Sequence, residues 1–200
     1  MFKPIGRSQR SATTGYVFGC SVPEPDVPLF GSFVKAPIQQ AQAMAIGLIY
    51  NISVQDDLFV RPIIAAQDKM SDEDYEIYVA DARRNQHVPI EVSVLTVGYQ
   101  AGERYFQNLP PQPPVLLDEV RYCDEAEIMA FTEESEYFTL ILASKDAPAD
   151  QLLAAAIQQA VKCRPPQDRE RFLQKAGREL AKLLNRDLPR LERLLRRIQP

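Results

Sequence analysis

The sequence predicts an α+β protein: a small antiparallel β-barrel with a helical insertion, followed by a C-terminal helical segment. Three observations carry this. Short runs rich in Val, Ile, Tyr and Phe, punctuated by Gly and Pro, recur through residues 1–145, as in small all-β folds. Over residues 146–200 the apolar period lengthens to that of helices. The charge also changes sign there. Residues 1–147 carry 11 Lys and Arg against 21 Asp and Glu, whereas residues 148–200 carry 12 against 6, although the whole chain sums to −4. The expected organisation is a barrel-like domain over 1–145, with a helix near 71–85, and three amphipathic helices over 146–200.

The barrel's organising strand is Val88–Tyr99. Val88, Ile90, Val92 and Val94 alternate with Pro89, Glu91 and Ser93, the period of a strand with one buried face. From Leu95 to Val97 both faces are apolar, which predicts cover on both sides. A turn at Gln100-Ala101-Gly102 leads back through Glu103–Phe106 as a hairpin, with Gly102 able to take a positive φ.

The other elements follow in order. Thr14–Ser21 reads as a strand with Tyr16, Val17 and Phe18 between glycines, and Val22–Pro28 as a proline-rich loop. Gly31–Ala36 is a short strand that Pro37 should stop. Met44–Ser53 is apolar on both faces and therefore internal, with Gly47 marking a bulge or a close backbone approach. Leu58–Ala66 is ambiguous, since Asp56 or Asp57 could cap a helix that Pro62 would disfavour. Ser71 is a natural N-cap for a helix whose first turn is acidic and whose end carries Arg83 and Arg84. Tyr75, Tyr78, Val79 and Ala82 form its apolar stripe. Leu109–Pro114 is a stiff extended run, able to present a polyproline ligand but more simply a surface crossing. Val115–Tyr122 and Glu136–Ser144 are expected strands, with a short acid-started helix from Asp124 between them.

In the helical segment, Asp146 is the expected cap of a first helix buried through Leu152, Leu153, Ala156, Ile157, Ala160 and Val161. Pro165 and Pro166 end it. The second buries Phe172, Leu173, Ala176, Leu180, Leu183 and Leu184. The third starts at Asp187 and Pro189, with Leu188, Leu191, Leu195 and Ile198 on one side and Arg190, Arg193 and Arg197 on another.

Chemistry of the usual kinds leaves no trace. There is no G-x-x-x-x-G-K-[ST] loop for phosphates, no G-x-S-x-G and no H-E-x-x-H. Cys20, Cys123 and Cys163 are odd in number and widely spaced, which suits idle thiols in a reducing compartment. His87 is the only histidine, and a lone ring is a poor metal site or general base. Asp56 and Asp57 fit a cap and a solvated charge better than a metal site. No catalytic residue, cofactor or metal is expected. No apolar run has the length of a membrane helix, and the N-terminus lacks a signal peptide's apolar core, so the expected location is cytoplasmic.

Four stretches carry a family resemblance: Thr14-Gly-Tyr-Val-Phe-Gly, Phe30-Gly-Ser-Phe-Val-Lys, Ala45-Ile-Gly-Leu-Ile-Tyr-Asn-Ile-Ser and Val88-Pro-Ile-Glu-Val-Ser-Val-Leu. In these the first two thirds of the chain resembles the HAS-barrel domain, the barrel shared by HerA-type ATPases and the N-terminal parts of ATP synthase subunits. The resemblance implies an all-β barrel used for assembly, placed in HerA-type proteins beside a ring-forming, DNA-translocating motor. The phosphate loop of that motor is missing here, so ATP hydrolysis does not carry over.

Two functions are therefore expected to compete. One is a non-enzymatic assembly or adaptor module whose barrel binds a protein partner, such as a separately encoded ATPase, or a second copy of the chain. The other is a nucleic-acid-binding protein using the basic helices, with Arg178, Lys182, Arg190, Arg193 and Arg197 as contacts and Arg164, Arg169, Arg171, Lys175 and Arg186 adding positive charge. The bland alternative for that tail is a solvated helical face, or a face docked on the acidic barrel.

Overall fold

The computed structural model describes residues 4–21, 28–38, 42–54, 71, 73–77 and 89–199. Its strands are β1 (Gly6–Ser11), β2 (Gly15–Ser21), β3 (Phe33–Ile38), β4 (Ala43–Val54), β5 (Pro89–Ala101), β6 (Arg104–Phe106) and β7 (Glu119–Tyr122). The helices are α1 (Glu125–Phe131), α2 (Tyr137–Ala143), α3 (Ala149–Lys162), α4 (Pro166–Leu183) and α5 (Leu188–Ile198). All pairings are antiparallel, and the order β2-β1-β7-β3-β4-β5 closes because β5 also pairs with β2. The result is a closed six-stranded barrel in an α+β fold, as expected.

β5 is the strand on which closure depends. Its first half, Pro89 to Leu95, pairs with β2 on one side and with β4 on the other. Its far end keeps β4 but exchanges β2 for the short β6, which lies outside the ring and is joined through the Gly102 turn at φ +60°. Two bulges bend the β4–β5 pair. Ile46 and Gly47 face Gly98 and Thr96, so Val97 is the extra residue of the first. Gly47 is required there, because a Cβ would meet a Val94 methyl at 2.4 Å.

The two-residue period of the strands sends alternate residues into two cores. Tyr16, Phe18, Val34, Ala36, Ile49, Ile90, Val92, Val94 and Val120 fill the barrel. Phe33, Ile46, Leu48 and Val97 belong to a larger cluster with the helices. From Ala45 to Ile49 both faces of β4 are therefore buried, as its apolar run predicts, while Asn51 and Val54 at its end are exposed. At the seam, the Phe131 ring meets Phe33 at 6.1 Å, Tyr105 at 6.2 Å and Tyr137 at 5.4 Å. Each fully buried side chain of this size contributes about 1.5–3 kcal/mol relative to exposure.

Polar stitches fix the helices to the barrel. The Phe33 N–H donates to Gln159 Oε1 of α3 (3.2 Å), and Lys35 of β3 pairs with Glu127 of α1. Gln107 donates to the carbonyls of Phe131 and Glu134 and accepts from the Tyr137 N–H, so one amide orders the turn between α1 and α2. Gly31, at φ +81°, brings the loop before β3 so close to α3 that a Cβ would lie 2.5 Å from the Ala155 methyl.

Several expectations need correction. Glu136–Ser144 is not a strand: Tyr137–Ala143 is α2, which buries Tyr137, Phe138 and Ile141 at helical spacing while Thr139 is exposed. Its aromatic and branched residues favour strands in isolation, but packing on the larger core decides otherwise. β1 has no apolar alternation to announce it: it turns Arg7, Gln9 and Arg10 outward and buries little beyond Ser8. Pro37 does not stop β3. Its carbonyl accepts from the Val115 N–H, and its missing N–H would have pointed the same way, beyond the last β3–β7 pair of Lys35 with Arg121. Of Val115–Tyr122, only Glu119–Tyr122 is strand.

α1 starts as predicted, with Asp124 and Glu127 forming a reciprocal capping box. Asp146 does not cap α3, whose N-cap position is Pro148; the Ser144 hydroxyl accepts from Ala147 instead. On α5 the buried stripe is Leu191, Leu194 and Ile198, with Leu195 packed at its margin and Leu188 exposed beside the Asp187 cap. Residues 73–77 are helical, and Ser71 Oγ accepts from the Asp74 N–H at 3.2 Å. The rest of that expected helix, together with Asp56, Asp57 and His87, lies outside the described residues.

Candidate interaction surfaces

The cysteines are free. Burial pushes the Cys123 thiol far above its ordinary range and raises Cys20 and Cys163 as well, so all three hold their protons. Among the described residues no group of three or more His, Cys, Asp or Glu is placed to hold a metal ion.

The turn Val115–Asp118, just before β7, is the most unusual surface feature. Val115, Leu116 and Leu117 are consecutive and exposed, with Leu117 70% accessible. Leu117 also has φ +66°, the only non-glycine residue at positive φ among those described. The Asp118 N–H reaches the Val115 carbonyl at 3.4 Å, placing Leu117 where type II turns take glycine. A left-handed conformation costs an L-residue about 1–2 kcal/mol.

β1 holds this conformation from one side. Ser8 Oγ donates to the Val115 carbonyl (2.5 Å), the Leu117 N–H donates to the Ser8 carbonyl (2.9 Å), and the Ser8 N–H donates to the Asp118 carbonyl (3.0 Å). Arg7 Nη1 donates to the Leu117 carbonyl at 2.8 Å. Glu119 bridges Arg7 (3.3 Å) and Arg121 (2.7 Å), and the Arg121 hydrogen bond holds its carboxyl below the usual range. The Val115 N–H is tied to Pro37, and Pro114 is buried beneath the turn. The backbone is fixed; the three apolar side chains are left to solvent.

The second surface is basic and helical. Of the residues expected to contact a partner or nucleic acid, Arg190 is held at home: it meets Asp150 of α3 at 2.7 Å, and that hydrogen bond raises its pKa. Arg193 and Arg197 are exposed on α5, where the Arg197 carbonyl accepts from Gln158. Arg178 and Lys182 lie on α4, Lys182 beside Glu179 at 2.9 Å. The structure therefore divides the five between two helices.

Two further cations join Arg178 and Lys182. Arg171, Lys175, Arg178 and Lys182 fall at i, i+4, i+7 and i+11 of α4, a single exposed stripe away from buried Phe172, Ala176 and Leu180. Arg171, Lys175 and Arg178 line a cleft of about 450 Å³ with Gln174, Met129, Glu133 and Asp168. Arg164 is part of its wall but serves the fold. Its guanidinium lies 3.7 Å from the Phe172 ring centre and donates to the carbonyls of Ala160, Met129 and Thr132 at the ends of α3 and α1.

No protein-family model matches the chain, and no curated protein sequence matches it either.

Proposed function

We propose that this chain is an assembly module without chemistry of its own, whose barrel docks on a protein partner through the Val115–Leu117 turn. The strained leucine carries the reading. Glycine would relieve the backbone, and a polar residue would suit the exposure, yet a leucine is held there by four hydrogen bonds between the turn and β1. Strain retained by its surroundings is a feature of working surfaces. The resemblance to HAS-barrel domains makes a ring-forming, DNA-translocating ATPase, separately encoded, the partner class that fits best.

The test is co-elution of the purified chain with the HerA-type ATPase of the same cell, with light scattering on the chain alone to reveal a second copy as the occupant. Leu116→Asp and Leu117→Asp are expected to lose the complex while melting as the parent does. Undiminished binding by both variants, or turnover of a small substrate abolished by one side-chain change, would sink the reading.

A further inference from the structure

The stripe on α4 has a use that the assembly reading does not require. We infer that the face formed by Arg171, Lys175, Arg178 and Lys182 binds the phosphate backbone of a nucleic acid. The four cations span about 16 Å of helix, one roughly every turn. Arg171 and Arg178 make no ion pair among the described residues, so their planar donors are free for phosphate oxygens. Lys175 reaches the Glu133 carbonyl and lies 3.6 Å from Glu134, and Lys182 has Glu179; all these contacts are solvent-exposed and exchange readily with a polyanion.

The chemistry of the face selects among polyanions. An amphipathic membrane helix inserts its large apolar side chains beside its cations, whereas Phe172 and Leu180 of α4 are buried in the fold and Phe172 is covered by Arg164. An acidic protein surface binds through buried apolar or aromatic anchors, which this stripe lacks. A line of cations without anchors matches an evenly repeating charge. Glu133 and Asp168 also line the cleft and keep its charge moderate, while contacts from cations to phosphate predict little preference for base sequence.

The inference is independent of the partner question, since its test needs only the purified full chain and labelled DNA. Fluorescence anisotropy with a short single strand and a short duplex is measured across roughly 50 to 200 mM salt. Engagement of all four cations gives a slope of log K on log salt of about −2.8 for the strand and about −3.6 for the duplex. Arg171→Gln and Arg178→Gln are each expected to reduce the slope by about 0.7–1 and to weaken binding to all sequences alike. Arg171→Lys with Arg178→Lys keeps the slope, and Arg193→Gln with Arg197→Gln on α5 leaves it unchanged. Absence of DNA binding at low salt overturns the inference. So does a slope insensitive to the α4 changes. Tighter binding to polyglutamate or to anionic phosphatidylserine vesicles than to DNA, lost in the same variants, would overturn it in favour of an acidic protein or a membrane.

Discussion

The turn after β5 and the turn before β7 each hold one residue at positive φ, +60° at Gly102 and +66° at Leu117. Gly102 stands in open space: nothing lies within 4 Å of where its Cβ would be. It serves only the chain's reversal into β6. At Leu117 the positive φ carries a large apolar side chain, and Ser8 and Arg7 supply hydrogen bonds that keep it so. The contrast separates a turn that only connects strands from one that presents side chains. The sign of φ alone would not distinguish them; the residue placed at it does.

A third left-handed residue sets the scale of the comparison. Gly31 combines φ +81° with a methyl-tight approach to Ala155, so Gly31→Ala meets both backbone strain and a steric clash with α3. It is expected to destabilise the fold by about 2–4 kcal/mol, read from urea unfolding; a change under about 1 kcal/mol would mean that the loop simply moves away. The exchange between the other two turns comes next. Leu117→Gly should raise stability by about 1 kcal/mol while weakening partner binding, and Gly102→Leu should lower stability by a similar amount. Equal thermal shifts of the same sign would show that the two turns are not strained as their angles indicate.

The smallest effect is electrostatic. Glu119 has its carboxyl depressed by Arg121, with Arg7 a lesser contributor, so its favourable pairing is complete above the ordinary glutamate range. That contribution disappears as pH falls through the lower, folded-state value. Acidification through this window should loosen Arg7 at the Leu117 carbonyl, visible as faster amide exchange at Leu117 relative to Gly102. Glu119→Gln should remove that pH dependence and leave Gly102 untouched.

How far the sequence discloses this molecule depends on which residues carry each element. β5 is legible because Ile90, Val92 and Val94 alternate and Gly102 marks the turn. α1 is legible because Asp124, Glu125 and Glu127 give it an acidic start, and the structure adds that Asp124 and Glu127 cap it reciprocally. The run Tyr137–Ala143 is only seven residues long, too short for its period to separate helix from strand, and its composition favours the wrong one. β1 hides because its buried side is served by a serine rather than by an alternating apolar set.

The candidate surfaces divide in the same way. Arg178 and Lys182 are visible from sequence as tail cations, but their grouping with Arg171 and Lys175 needs the helix phase. Removing Arg164 from the group needs the tertiary carbonyls that hold it. Nothing in the letters Val-Leu-Leu reveals a positive φ. That angle comes from Ser8 and Arg7, which lie more than 100 residues earlier: Arg7 is 110 residues from Leu117.

The pairing of β1 with β7 also governs when the protein can be finished. Gly6 must find Val120, so a chain emerging from the ribosome holds its first hairpin with one edge unpaired until the final strand has appeared. Such an edge is a template for foreign strands. The order of synthesis thus places the greatest hazard of misassembly before the last strand, and the late arrival of Glu119–Tyr122 ends it.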